Sequence, residues 1–142
     1  MSKSLLEALR ESIGTPLQHA PAFTGWLGGT LRKVEEGHIV MEVEVRSEMT
    51  NPLGLLHGGV QAAILDELIG MTVAALDKPG PAVSVNLSID FIGKARVGEW
   101  IRAESRLIRQ GRQIICMEGS LYNAQNQLIA KASTNLLNIQ KA

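Results

Sequence analysis

Apolar and polar positions alternate with period two over much of the chain, and one long stretch breaks that rhythm. Val83, Val85, Leu87, Ile89 and Phe91 alternate with Ser84, Asn86, Ser88 and Asp90. This is the pattern of a strand with one face on a core. Ile39, Met41, Val43 and Val45 alternate in the same way with Val40, Glu42, Glu44 and Arg46. Further strands are expected over 29–34, 100–109, 112–122 and 127–139. Glu35-Glu36-Gly37, Gly93 to Gly98, Gln110-Gly111 and Asn123 to Asn126 supply turns short enough for antiparallel neighbours.

Residues 57–76 are different. They are apolar on almost every side and rich in alanine and leucine, which favours helix over strand. Roughly 20 residues at 1.5 Å each would span about 30 Å. A helix apolar all round must be covered all round. Asp77 to Pro81 would stop it. Leu5, Leu6, Leu9 and Ile13 recur at helical spacing before Gly14, predicting a short amphipathic helix over about 3–13. Residues 15–27, with Pro16 and Pro21, read as a connecting segment. One helix and about six antiparallel strands make an α+β domain spanning 1–142, with the sheet curled around the helix. A second copy of the chain is expected to complete the helix's cover.

Composition narrows the function. The chain has 142 residues, suited to one core. Fourteen basic and 14 acidic residues cancel, which excludes the basic excess of a duplex-binding surface. Aromatics at 4% offer little for base stacking. Cys116 is the single cysteine, so no internal disulfide and no cysteine-based zinc site is expected, and it reads as a small buried hydrophobe. His19 and His38 have no spacing with His57 that would make a metal site. The N-terminus lacks a signal-peptide core, no run reaches the ~18–20 apolar residues of a membrane span, and a cytoplasmic location is expected. Neither a nucleophile elbow nor a phosphate loop is present.

The candidate chemistry sits on the long helix. His57-Gly58-Gly59 opens it, and Asp66 is embedded nine positions later. A carboxylate among hydrocarbon is costly unless something pairs with it. A helix start offers unpaired N–H groups and the positive end of the macrodipole, and Gly58 and Gly59 let a ligand approach. A carbonyl on the Gly58 N–H would be polarised, and Asp66 would deprotonate water or attack the acyl carbon. Nine residues turn through about 180° and rise ~13 Å, so one chain does not bring His57 and Asp66 to one atom. Two chains related by a two-fold axis do. Plainer roles stand beside these. Asp66 suits a structural cap, Asn51 before Pro52 suits a turn, His57 suits a helix cap, and Ser84 shares an alternating face with Asn86, Ser88 and Asp90. Glu67, the rival acid, is expected to be exposed or salt-bridged.

Asn51-Pro52-Leu53-Gly54-Leu55-Leu56-His57-Gly58-Gly59, then Asp66, then Val83-Ser84-Val85, resembles the hotdog-fold acyl-CoA thioesterases. The nearest branch is the phenylacetyl-CoA thioesterase-like (PaaI-type) group. The resemblance runs from about residue 23 to 138. It implies a hotdog fold and hydrolysis of an acyl- or aryl-CoA thioester to free acid and CoA. It implies Asp66 as nucleophile or general base, the Gly58 amide as carbonyl polariser, and Asn51 as holder of water or carbonyl. His57 would position the thioester and Ser84 would assist the carboxylate. Asp66 and Ser84 would come from one subunit, and Asn51, His57 and Gly58 from its partner, often within a dimer of dimers. No metal and no cofactor are implied, coenzyme A being part of the substrate. Leu55, Leu65, Leu68 and Ile69 are candidates for the acyl pocket. Gly59, Lys94, Arg96, Arg109 and Arg112 are candidates for substrate contact, the basic ones at the nucleotide end. A non-catalytic acyl-CoA binder or sensor using the same pocket is the alternative.

Overall fold

The computed structural model describes residues 2–17, 21–77 and 80–140. In chain order it comprises α1 (Leu5–Glu11), α2 (Ala22–Leu27), β1 (Thr30–Glu35), β2 (His38–Glu44), a 3-10 turn (Ser47–Met49), α3 (Gly58–Ala74), β3 (Ala82–Phe91), β4 (Trp100–Gln110), β5 (Ile114–Tyr122) and β6 (Leu128–Asn138). The six strands form one antiparallel sheet in the order β1-β2-β4-β5-β6-β3. Short hairpins join β1 to β2, β4 to β5 and β5 to β6, as the turn residues require. β3 leaves the end of α3 and pairs with β6 at the edge of the sheet. The expected α+β hotdog architecture is therefore present. His19, and the Lys78-Pro79 pair of the helix stop, lie outside the described residues.

α3 lies on the sheet through Gln61, Ile64, Leu65, Leu68, Ile69, Thr72 and Val73. Ile64, Leu65 and Leu68 join Leu31, Ile39, Val43, Ile101 and Leu121 in the main cluster. Ile69, Val73 and Leu76 meet Ile115, Met117 and Leu136 in a second one. Each large side chain so buried contributes roughly 1.5–3 kcal/mol. The helix reaches the sheet closely at Gly119 of β5, where a Cβ would stand 3.0 Å from Leu65 Cδ2. Thr72 satisfies its buried hydroxyl by donating to the Leu68 carbonyl at 2.7 Å.

The sheet covers one side of the long helix, and the single chain leaves a face for the expected second copy. Gly59, Asp66, Gly70 and Ala74 form an exposed stripe on the side away from the sheet. Glycine and alanine raise the apolar count of a sequence but carry little surface to bury. One expectation needs correction: residues 15–27 hold more than a connection, because α2 occupies Ala22–Leu27. Its cap at Gly28 is left-handed, at φ 71°. It is held by Arg46, which donates to the carbonyls of Trp26 and Leu27 and lies 5.2 Å over the Trp26 ring. Cys116 is free and half-buried in β5. Among the described residues no helix is long and apolar enough to cross a membrane.

Candidate active site

The start of α3 is held by a loop that the sequence marks with Asn51-Pro52 and Gly54. Asn51 Oδ1 accepts from the backbone N–H of Leu53 at 2.9 Å and of Leu55 at 3.2 Å, closing the turn. Asn51 thus performs the turn role through its oxygen, and its amide NH2 has no hydrogen-bond partner among the described residues. The loop returns along two neighbours: the Leu56 N–H donates to the Ala95 carbonyl at 2.9 Å, and the His57 N–H to the Met49 carbonyl at 2.8 Å. Gln61 Nε2 donates to the Leu56 carbonyl at 3.1 Å, tying the first helical turn to the loop.

His57 is the N-cap of α3, and its Nδ1 accepts from the Gly59 N–H at 2.8 Å. An accepting Nδ1 leaves the ring proton of the neutral imidazole on Nε2. The Gly58 N–H has no hydrogen-bond partner among the described residues. It is one of the donors every helix start leaves unspent, at the positive end of the macrodipole. Phe91 of β3 stands beside it, with ring atoms 3.4 Å from where a Gly58 Cβ would lie. A carbonyl oxygen placed on this N–H would be polarised without any side chain intervening.

The second half of the constellation depends on an irregularity in β3. Ser84 pairs with Leu136, and Leu87 with Thr134, so three steps along β3 oppose two along β6. The extra residue forms a β-bulge between Ser84 and Asn86, and bulges re-aim side chains. Ser84 therefore faces α3, on the same side as Leu87 and Ile89, and not outward with Asn86, Ser88 and Asp90. Its hydroxyl donates to Asp66 Oδ1 at 3.3 Å. Asp66 is exposed in the single chain, contrary to the expectation of an embedded carboxylate, because it lies on the small-residue stripe on the side of α3 away from the sheet. A cleft of about 430 Å³ between α3 and β3 opens at this pair, lined also by Gly59, Ala62 and Val85.

Within one protomer the groups form two separate sets. Asn51, His57, Gly58 and Gly59 gather at the start of α3, and Asp66 with Ser84 lies along its side. Eight residues separate Gly58 from Asp66, about 12 Å of rise. Glu67, the neighbouring acid, is half-buried and accepts from Thr24 Oγ1 of α2 at 2.7 Å, a partner that sequence spacing did not reveal. Pro21 before α2 and Gly28 after it are the signals that could have located Thr24. Leu65, Leu68 and Ile69 do not line an open acyl pocket, since their side chains point into the sheet and are fully buried.

The basic candidates also divide. Lys94 and Arg96 flank Ala95, beside the loop that enters α3, with Arg96 bridged to Leu55. Arg109 and Arg112 flank the β4–β5 turn at the far end, where Gln110 Nε2 donates to the Asp77 carbonyl after α3. The 11 residues of β4 put about 33 Å between these ends. His38 belongs to neither set. It lies on the outer face of the sheet, with Nε2 2.7 Å from Glu104.

A sequence profile of the thioesterase superfamily matches residues 53–130, from the loop before α3 into β6. Human acyl-coenzyme A thioesterase 13 is 32% identical over 130 residues, covering 90% of this chain and 92% of that protein. The crystal structure of a phenylacetic acid degradation-related protein from Ralstonia eutropha JMP134 superposes with a TM-score of 0.79 at 29% identity, covering 95% of this chain and 99% of that one. Zebra fish thioesterase superfamily member 2 gives a TM-score of 0.79 at 26% identity, covering 96% and 99%. With the helix start, the carboxylate and the sheet in these positions, the chain belongs to the thioesterase superfamily, as a hotdog-fold, PaaI-like thioester hydrolase.

Proposed function

We propose that this protein hydrolyses acyl-CoA thioesters at a site completed by two copies of the chain. The name of the human relative supports acyl-coenzyme A as the substrate. The observation that carries the composite site is the division of complementary groups. An exposed carboxylate braced by Ser84 lies about 12 Å along the helix from an unspent Gly58 N–H, and neither location holds both. A two-fold axis beside α3 and β3 would bring the start of one helix to the middle of the other, twice over. β3 suits that contact as an edge strand with Val83 46% and Val85 55% exposed. Two such dimers would then associate as a dimer of dimers, an arrangement the site itself does not need.

In this reading the thioester oxygen rests on the partner's Gly58 N–H and near the amide of its Asn51. Asp66 takes a proton from water as the oxygen adds to the acyl carbon. The carbon–sulfur bond then breaks, and the departing thiolate takes the proton back to leave as coenzyme A. In the direct route an Asp66 oxygen attacks the acyl carbon and expels the coenzyme A thiolate, leaving an anhydride; water then cleaves the anhydride to the free acid and the Asp66 carboxylate, and the proton released goes to the thiolate. Ser84 holds the carboxylate in line, and His57 fixes the helix tip. Lys94 and Arg96 are the basic groups placed to meet the nucleotide phosphates entering at that tip.

A panel of acyl-CoA thioesters, followed by release of free thiol, tests the activity. Asp66→Asn is expected to keep fold and assembly while lowering kcat by about 10²–10⁴. Near-normal turnover in that variant would remove Asp66 from the chemistry. Tight binding without turnover across the whole panel would make the protein a binder or sensor.

A further inference from the structure

A groove of about 590 Å³ runs from Ser84 and Asp66 across the exposed side of α3 to the underside of α1. Leu5, Ala8 and Leu9 of α1 form one wall, and Gly70, Met71 and Ala74 of α3 form the floor. Of the polar groups at its border, Thr24 and Glu67 are tied to each other at 2.7 Å and the Ser12 hydroxyl donates to the Ala8 carbonyl at 3.1 Å, so the lining beyond Asp66 and Ser84 is largely apolar. The groove is continuous with the carboxylate proposed to act on the thioester.

Gly70 is the informative residue. Glycine inside a helix is unfavourable relative to alanine, so a midpoint glycine needs a reason. Packing among the described residues gives none, because a Cβ at Gly70 would meet nothing within 4 Å. The space over Gly70 is therefore open among the described residues. From Asp66 to Gly70 is about 6 Å along the helix, and to Ala74 about 12 Å, roughly the reach of four to five and of nine to ten carbons.

We infer that Gly70 and Ala74 are specificity-determining positions that set how far an unbranched acyl chain extends along α3 beneath α1. The inference rests on the hydrolase reading above and adds to it the direction of the acyl chain. A methylene buried in this groove raises kcat/KM by up to about fourfold. A side chain at Gly70 blocks the groove near the carboxylate, and one at Ala74 blocks it further along.

The test compares butanoyl-, octanoyl- and dodecanoyl-CoA with the full-length protein, G70L and A74L, each checked for helix content and mass in solution. In G70L the octanoyl-to-butanoyl ratio of kcat/KM is expected to fall at least tenfold. In A74L the dodecanoyl-to-octanoyl ratio falls more than the octanoyl-to-butanoyl ratio. If G70L does not fold, A74L carries the test alone. Unchanged ratios in folded variants overturn the inference and leave the hydrolase reading intact. A changed mass with unchanged ratios overturns it too, and gives the groove to a second copy of the chain. Ratios that shift as expected while Asp66→Asn remains fully active support the groove and remove Asp66 from the chemistry. No turnover of any thioester by the unaltered protein overturns both.

Discussion

Ser84 Oγ donates to Asp66 Oδ1 at 3.3 Å, from the edge strand of the sheet to the exposed side of the central helix. The contact exists because β3 carries one residue more than β6 between Ser84 and Leu87. Without that bulge the alternation along β3 would turn Ser84 outward when Leu87 and Ile89 face in. The hydroxyl limits where the carboxylate can point before any substrate arrives.

Ser84→Ala removes this brace and leaves the carboxylate. The expected result is a fall in kcat of about tenfold, the order of one hydrogen bond to a charged group. Stability should change little, since both side chains are exposed in the single chain. Turnover measured with one responsive thioester, beside a denaturant midpoint, separates the two effects. A kcat equal to that of the unaltered protein would reduce Ser84 to a surface residue.

The cap at His57 leads to a second prediction. Its Nδ1 takes the Gly59 N–H, which leaves the Gly58 N–H pointing out unspent. His57→Ala is expected to cost about 1 kcal/mol of stability through loss of the cap. His57→Asn, with a strong capping side chain, should recover most of that. If kcat stays low in the asparagine variant, the imidazole itself positions the substrate; if kcat returns with stability, capping was its whole role. Gly59→Ala should resemble His57→Ala, because the new Cβ would stand 3.0 Å from His57 Nδ1.

The outer face of the sheet supplies a prediction about acid. Glu104 Oε1 lies 2.7 Å from His38 Nε2 and 2.7 Å from Arg106 Nη2. Burial alone pushes the Glu104 carboxyl up. The His38 hydrogen bond and the charges of Arg106, His38 and Arg102 outweigh it and hold the pKa below the ordinary 4.5. A group held lower in the folded state binds fewer protons there than in the unfolded chain. Its stabilisation is present above the unfolded value and is lost as pH falls through the folded one. Glu104→Gln should therefore flatten the acid limb of the stability curve as pH falls from the ordinary 4.5 through the lower folded value. Urea midpoints across that range, with equal slopes in both proteins, would contradict the ion cluster.

The fold was legible because its pattern is carried by large side chains. Ile39, Met41 and Val43 announce a strand, and Ile64, Leu65 and Leu68 a helix, by spacing that survives any tertiary context. The candidate site residues stand out as types and intervals, in His57-Gly58-Gly59, Asp66 and Ser84. What spacing did not carry was direction. Period two along β3 gave no sign of the bulge that turns Ser84 inward. Apolar count along α3 did not distinguish Leu68, which the sheet buries, from Gly70 and Ala74, which it leaves open. That is why Asp66 looked embedded and Leu65, Leu68 and Ile69 looked like a pocket. α2 escaped because six residues with a central Gly25 carry no helical periodicity, and its support comes from Arg46 and Glu67, far along the chain.

The composite site makes the sharpest prediction, because it can be tested by mixing two defective proteins. Asp66→Asn removes the carboxylate. Asn51→Asp keeps the side-chain oxygen that accepts from Leu53 and Leu55 but removes the amide donor. Each variant alone is expected to be nearly inactive. In a mixed dimer, one site combines both defects, and the other combines the sound Asp66 of one chain with the sound Asn51 of its partner. Random pairing makes about half the dimers mixed, so refolding the two together should restore about a quarter of normal activity. Simple mixing without exchange of chains should restore none. Activity that never exceeds the average of the two variants, although mass measurements show mixed dimers, would mean that each chain performs the reaction within itself.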